Sequence, residues 1–276
     1  MKQYKELLID ILENGEVRPD RTGVGTKSVF GRQIRFNLQD GFPAVTTKKL
    51  AFNAVKAELL WFLSGSTNER DLCELTHGTR DASKATIWTE NALSQGVSLG
   101  YKNGELGPVY GKQWRNFGGV DQVTNLITGI KNDPHSRRHI INAWNCAELD
   151  KMSLVPCHVM SQYYVSVSGK LSCHMYQRSC DVGLGFCFNA ASYALLTHML
   201  AQICNLRVGE LIISIGDTHI YTDHIEPLKE QITREPYPLP ALWLNPAVKN
   251  IFDFKMDDIK LENYRHHPTI SMKMAV

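Results

Sequence analysis

Long apolar runs are missing from this 276-residue chain. No stretch approaches the roughly 20 consecutive apolar residues of a membrane-spanning helix, and Met1-Lys2-Gln3-Tyr4-Lys5-Glu6 opens an amphipathic segment instead of a signal sequence. Both absences predict an intracellular, cytoplasmic protein with no membrane partner. Charge of one sign is equally scarce. The formal net charge is +2 and no Lys/Arg block concentrates it, so no nucleic-acid surface is expected and any basic site must be local. The seven cysteines, at 73, 146, 157, 173, 180, 187 and 204, contain no CxxC pair and no Cys/His spacing of a zinc site. Their odd number, without a secretory signal, fits reduced thiols packed mostly as small apolar side chains. No metal is expected, and no internal repeat is visible.

What the chain does have is apolar material for a large core. Hydrophobic residues make up 43% and charged residues 21%, which excludes a mainly disordered chain and suits a single domain over 1–276. Tyr4, Leu7, Leu8, Ile11 and Leu12 fall on one helical face before the stop signal Asn14-Gly15, predicting a helix over 2–13. Basic, glycine-rich residues 18–26 either cradle an anion or form a turn carrying solvated arginines. Residues 28–38 alternate as a strand. Ala51 to Leu63 is apolar nearly all round and reads as a buried helix. Glu58 lies inside it, so its carboxylate either has a structural partner or lines a polar cavity.

Residues 64–104 mix Gly, Ser, Thr, Asn and charges and read as a small irregular subdomain or lid. A helix over 120–131, a strand-like run at 139–144 and a hairpin of 159–167 with 171–177 follow. A helix over 190–204 has Asn189 at its threshold, an ordinary N-cap position. A strand from 211 continues to 221, with His219 and Tyr221 pointing the same way, and the remainder alternates proline turns with short apolar runs. Strands and helices interleave without a regular βαβ rhythm, so the fold class is α+β.

Chemistry concentrates at Leu154-Val155-Pro156-Cys157-His158 and at Tyr176-Gln177-Arg178-Ser179-Cys180-Asp181. A cysteine with arginine, serine and aspartate some twenty residues on suggests a thiol nucleophile facing an anion-holding pocket. A thiolate attacks better than a thiol, and Arg178 supplies the charge that favours it if the hairpin folds back. Two other readings stand beside this one. Cys157 is a buried structural residue, or it belongs to a Cys/His hydrolase with His158 or His219 as base, although papain-like and caspase-like local signatures are absent.

Those segments appear together with Asp20-Arg21-Thr22-Gly23, Gly107-Pro108-Val109-Tyr110-Gly111-Lys112-Gln113-Trp114, Phe188-Asn189-Ala190-Ala191-Ser192-Tyr193, Gly216-Asp217-Thr218-His219-Ile220-Tyr221 and Met274-Ala275-Val276. In that order along the whole chain they closely resemble the thymidylate synthase family. The resemblance implies reductive methylation of dUMP to dTMP, with 5,10-methylenetetrahydrofolate giving carbon and hydride and leaving as dihydrofolate. It implies a large twisted mixed β-sheet with helices on one face, the other face packed against the same sheet of a second copy in a homodimer.

Site residues follow from the same resemblance. Cys157 adds to C6 of uracil, while Glu58, Tyr110, His158 and ordered water carry protons. Arg21 and Arg178 of one chain, with Arg137 and Arg138 of its partner, fork onto the phosphate beside Ser179. His219 and Tyr221 hold the deoxyribose hydroxyl. Asn189 reads the base, since its amide can accept from N3–H and donate to O4 of uracil, whereas cytosine presents the opposite pattern. Ile87, Trp88, Asp181, Leu184 and Val276 contact the folate.

The sequence leaves the commoner family text at four places. Cys187 stands for a proline, Thr89 for an acid, Asn91 for a second tryptophan and Asn142 for a serine; none is a core catalytic group. The scaffold also hosts pyrimidine hydroxymethylases, which form the same adduct but add water where the synthase adds hydride. Trp88 and Leu154 match the synthase's water-excluding walls and put methylation first. An inactive nucleotide- or RNA-binding homologue is the third expectation. The intact Cys157, Glu58, Arg178 and Asn189 and the weak net charge speak against it.

Overall fold

The computed structural model describes residues 1–20 and 22–274. Arg21 and Val276, both expected at the site, lie outside the described residues. Helix α1 (Lys2–Asn14) buries Tyr4, Leu7, Leu8 and Ile11 and stops at Gly15. The short β1 (Glu16–Arg18) and long β2 (Thr26–Asn37) follow on either side of the glycine-rich turn. Helix α2 (Phe52–Ser64) is buried on most sides and ends on Gly65 in the left-handed conformation.

Residues 64–104 are more regular than their composition predicts. Helix α3 (Glu69–His77) starts at an Asn68 cap that accepts from the Arg70 N–H and ends at left-handed Gly78. Helix α4 (Thr89–Asn91) runs into a π-helical turn, Ala92–Gly96. Local capping gives order that a tally of polar residues hides. Helices α5 (Tyr110–Asn116) and α6 (Gln122–Asn132) and strand β3 (Ile140–Asn142) lead to the hairpin of β4 (His158–Val165) and β5 (Lys170–Asp181). Then come α7 (Gly185–Ile203), β6 (Arg207–Tyr221), α8 (Ile225–Thr233) and the ribbon of β7 (Ala241–Leu244) with β8 (Ile259–Glu262). Helix α8 falls where proline turns are expected; its Pro227 sits in the first turn, where a missing N–H costs nothing.

The main sheet runs β1-β2-β6-β5-β4-β3, with β5 and β6 parallel and every other pair antiparallel. A mixed sheet results because α7 carries the chain across from β5 to β6. That helix is buried almost all round, packed on β5 and β6 and against α2. Burial alternates along β5: Leu171, Cys173, Met175 and Gln177 point into the core. The opposite face is open and partly aromatic, with Phe30 79% and Tyr164 63% exposed and Tyr176 and Ile140 beside them. The architecture is α+β, and among the described residues no helix is long and apolar enough to cross a membrane.

Candidate active site

A cavity of about 500 Å³ opens above the β5–β6 pair, and Cys157, Glu58, Tyr110, His158, Arg178, Ser179, Asp181, Asn189, His219, Tyr221, Ile87 and Trp88 all line it. The sequence spreads these residues over more than 160 positions. The sheet gathers them because β4, β5 and β6 end together there, while α2, α5 and α7 pack behind.

Cys157 ends the loop that enters β4. Its N–H donates to Tyr110 Oη at 2.7 Å, and its carbonyl accepts from the Arg178 N–H at 2.8 Å. Arg178 folds back as the hairpin predicts: Nε donates to the Pro156 carbonyl at 2.8 Å and Nη2 to Val155 at 3.0 Å, leaving Nη2 4.0 Å from the Cys157 sulfur. Its guanidinium also lies 5.5 Å from the Trp144 ring centre. Burial pushes the thiol pKa up and Arg178 opposes that only in part. Arg178 favours the thiolate, as its place after the hairpin predicts, but desolvation outweighs one cation and the sulfur rests as a thiol.

Glu58 looks into the cavity from α2 and is otherwise enclosed by protein. Burial raises its pKa to about 7, while the Trp88 indole N–H, donating to Oε1 at 2.7 Å, opposes the rise. A carboxyl poised there can both take and give a proton at neutral pH. His158 stacks on Tyr110 at 4.0 Å, and its Nδ1 meets Tyr193 Oη at 2.9 Å. Burial lowers its pKa to about 3, so it is neutral at working pH. With Nδ1 engaged by Tyr193 and the ring neutral, His158 does not supply the imidazolium that a Cys/His hydrolase pairs with its thiolate.

The polar floor is organised by residues that sequence reasoning passed over. Gln177 points inward from β5 and its Nε2 donates to Asn189 Oδ1 at 3.0 Å and to the Ser179 carbonyl at 3.1 Å. Asn189 lies inside α7 and is not its N-cap. Asp181 Oδ1 accepts from the N–H groups of Gly183 and Leu184, closing a tight strand-to-helix turn that starts α7 at Gly185. Asp217 accepts from Arg18 at 3.1 Å and contacts His219 Nδ1 at 2.9 Å, which fixes the imidazole's orientation. Strand alternation was the available signal, since a glutamine at an inward position of an apolar strand is out of place in a core.

Not everything expected converges. Leu184 precedes α7 and does not line the cavity. Arg137 and Arg138 sit together on the turn at 133–138 and both line a surface hollow away from the cavity. Among the departures, Asn91 lines the cavity and donates to Gln95 Oε1 at 3.3 Å. Asn142 accepts from the Trp144 N–H at 2.9 Å and so supports the ring under Arg178. Cys187 is buried in α7 near Tyr4 and Lys48. Among the described residues no His/Cys/Asp/Glu group is arranged to hold a metal ion.

The cavity thus combines an enclosed thiol, a guanidinium, a neutral-range carboxyl and an oriented amide. Comparison with known proteins agrees with the chemistry such a set suits. The family model for thymidylate synthase matches residues 2–276. A "Probable thymidylate synthase" of Escherichia phage T5 is 53% identical over 280 residues, covering 100% of both chains. On a match of that extent the chain belongs to the thymidylate synthase family of one-carbon methyltransferases.

Proposed function

We propose that the protein converts dUMP to dTMP by reductive methylation and that Cys157 is its nucleophile. The observation that carries this is the meeting, in one cavity, of the Cys157 sulfur 4.0 Å from Arg178 with an Asn189 amide pinned by Gln177. With Oδ1 already accepting from Gln177, the Asn189 carbonyl has one lone pair left for N3–H while its NH₂ can donate to O4, the pattern of uracil. Sulfur bonds to C6, ring electrons move to C5, and C5 becomes the carbon nucleophile. Loss of the C5 proton and later breakage of the S–C6 bond need a group that exchanges protons near neutrality. Glu58, within a network with Tyr110 and His158, has the pKa for it.

The folate co-substrate, 5,10-methylenetetrahydrofolate, supplies the one-carbon unit and the hydride. Ile87, Trp88 and Leu154 offer it an apolar wall, with Asp181 and Asn91 as polar partners, a lining that suits a flat, hydrogen-bonding ring. His219, oriented by Asp217, and Tyr221 suit the sugar hydroxyl. The described guanidinium groups in the cavity are Arg18 and Arg178, and Arg18 is already paired with Asp217. A phosphate dianion calls for more, and Arg21 with Arg137 and Arg138 of a second copy complete the set. The open aromatic sheet face is the surface through which that copy docks, since leaving Phe30 and Tyr164 in water is costly. Residues 64–104, which carry Ile87 and Trp88, act as the lid.

Product analysis tests the reaction. Incubation with dUMP and methylenetetrahydrofolate should yield dTMP by mass spectrometry and the absorbance of dihydrofolate. 5-Hydroxymethyl-dUMP in its place would make the protein a hydroxymethylase. With 5-fluoro-dUMP a covalent ternary adduct on Cys157 is expected, which a mere nucleotide binder does not form.

A further inference from the structure

Trp88 reaches Glu58 from a segment with little regular structure of its own. Its anchor is Glu69, in the first turn of α3 and 1% exposed. Glu69 Oε1 accepts from the hydroxyls of Thr86 and Thr89, each at 2.6 Å, and Oε2 accepts from Arg70 Nε at 2.6 Å. The two threonines grip the backbone around the indole. Thr89 Oγ1 accepts from the Thr86 N–H at 2.8 Å, and Thr86 Oγ1 accepts from the Trp88 N–H at 3.2 Å. Arg70 extends the clip to the carbonyls of Asp81 and Lys84 at 2.8 and 3.1 Å. A buried carboxylate is costly to leave without donors, so Glu69 ties the turn at 86–89 to α3 through both threonines, and Arg70 Nη2 adds a longer bond to Thr89 Oγ1 at 3.4 Å.

We propose that Glu69 is a positioning residue which, through Thr86 and Thr89, keeps the Trp88 indole N–H on Glu58 Oε1. The kinetic half of this rests on the proposed role of Glu58, whereas the geometric half does not. Glu58 is faced by Tyr110 from α5, Tyr193 from α7 and His158 from β4, with Cys157 across the cavity. Burial raises both tyrosines and the thiol and lowers the histidine, so all four are uncharged near neutrality. Trp88 is then the partner that favours the Glu58 anion, and slackening it raises the Glu58 pKa above about 7.

The test is a carbon-13 NMR titration of the Glu58 carboxyl in the full chain, assigned with Glu58→Gln, alongside the pH–rate profile with dUMP. In Glu69→Ala and Thr89→Val the Glu58 midpoint should rise by about one pH unit. Turnover should fall roughly 10- to 100-fold with KM for dUMP changed less than about threefold. Thr89→Ser, which keeps the hydroxyl, should restore the midpoint. If Glu69→Ala does not fold, the Thr89 pair decides by itself. An unmoved midpoint in folded Thr89→Val, or equal shifts in Thr89→Ser and Thr89→Val, overturns the proposal. Absence of dUMP turnover in the unaltered protein defeats the proposed reaction instead, and the titration still reads the clip.

Discussion

Glu58 and His158 share a wall of one cavity, and burial pushes their pKa values in opposite directions, to about 7 and about 3. The same desolvation penalises an anion in one and a cation in the other. Between pH 4.5, its ordinary value, and about 7, the unfolded chain releases the Glu58 proton while the folded chain keeps it. This carboxyl therefore makes the fold less stable as pH rises through that window. Glu58→Gln should remove the kinetic limb near pH 7 and gain on the order of 2–3 kcal/mol over the unaltered protein between pH 4.5 and 8, read from urea unfolding at each pH. His158 acts with the other sign. Its stability contribution is present above pH 6.5 and is lost as pH falls from there toward 3. At Cys157, Cys157→Ala should abolish the 5-fluoro-dUMP adduct and cut turnover by about four orders of magnitude or more, while the protein still binds dUMP.

At the scale of elements, the geometry around Cys157 depends on how closely α5 lies against the end of α2. Gly111 makes this approach possible, because a Cβ there would meet the Ser66 carbonyl oxygen at 2.4 Å and the Gly65 carbonyl carbon at 3.1 Å. Tyr110, the neighbouring residue, carries the hydroxyl that receives the Cys157 N–H. Gly111→Ala should push α5 outward, lower stability by about 1–3 kcal/mol and reduce turnover about tenfold or more, measured by urea unfolding and steady-state kinetics on the same sample. Element types were largely legible: the face of α1, the all-apolar α2 and the alternating β2 appear as their patterns predict. The start of α7 was not. Its N-cap is Leu184, which makes no side-chain cap bond, and Asp181 only closes the turn before it by accepting from Gly183 and Leu184; with no capping signature at the true start, Asn189 reads as a cap when it is a side chain inside the helix.

For the whole molecule, the decisive matter is the open sheet face. If two copies join through it and exchange arginines, an inactive Cys157→Ala chain and an inactive Arg137→Ala/Arg138→Ala chain should rescue each other. Refolded together in equal amounts, they should regain about a quarter of the unaltered activity, because half the dimers are mixed and each has one complete site. Tyr164→Lys should lower the dimer fraction in sedimentation equilibrium and weaken dUMP binding with it.

The sequence by itself determined the chemistry this chain can carry. The order and identity of Cys157, Arg178, Asn189 and Glu58 are properties of a linear text, and their family resemblance is readable there without any coordinates. Only the tertiary structure decided which neighbours tune them. Gln177 on Asn189, Asp217 on His219 and Glu69 beneath Trp88 are pairings between residues 2 to 20 positions apart, and ordinary polar side chains acquire such roles only when packing turns them toward one another. The upward pKa shifts of Cys157 and Glu58 arise in the same way, since removal of water is a property of the enclosed cavity and of no residue in it.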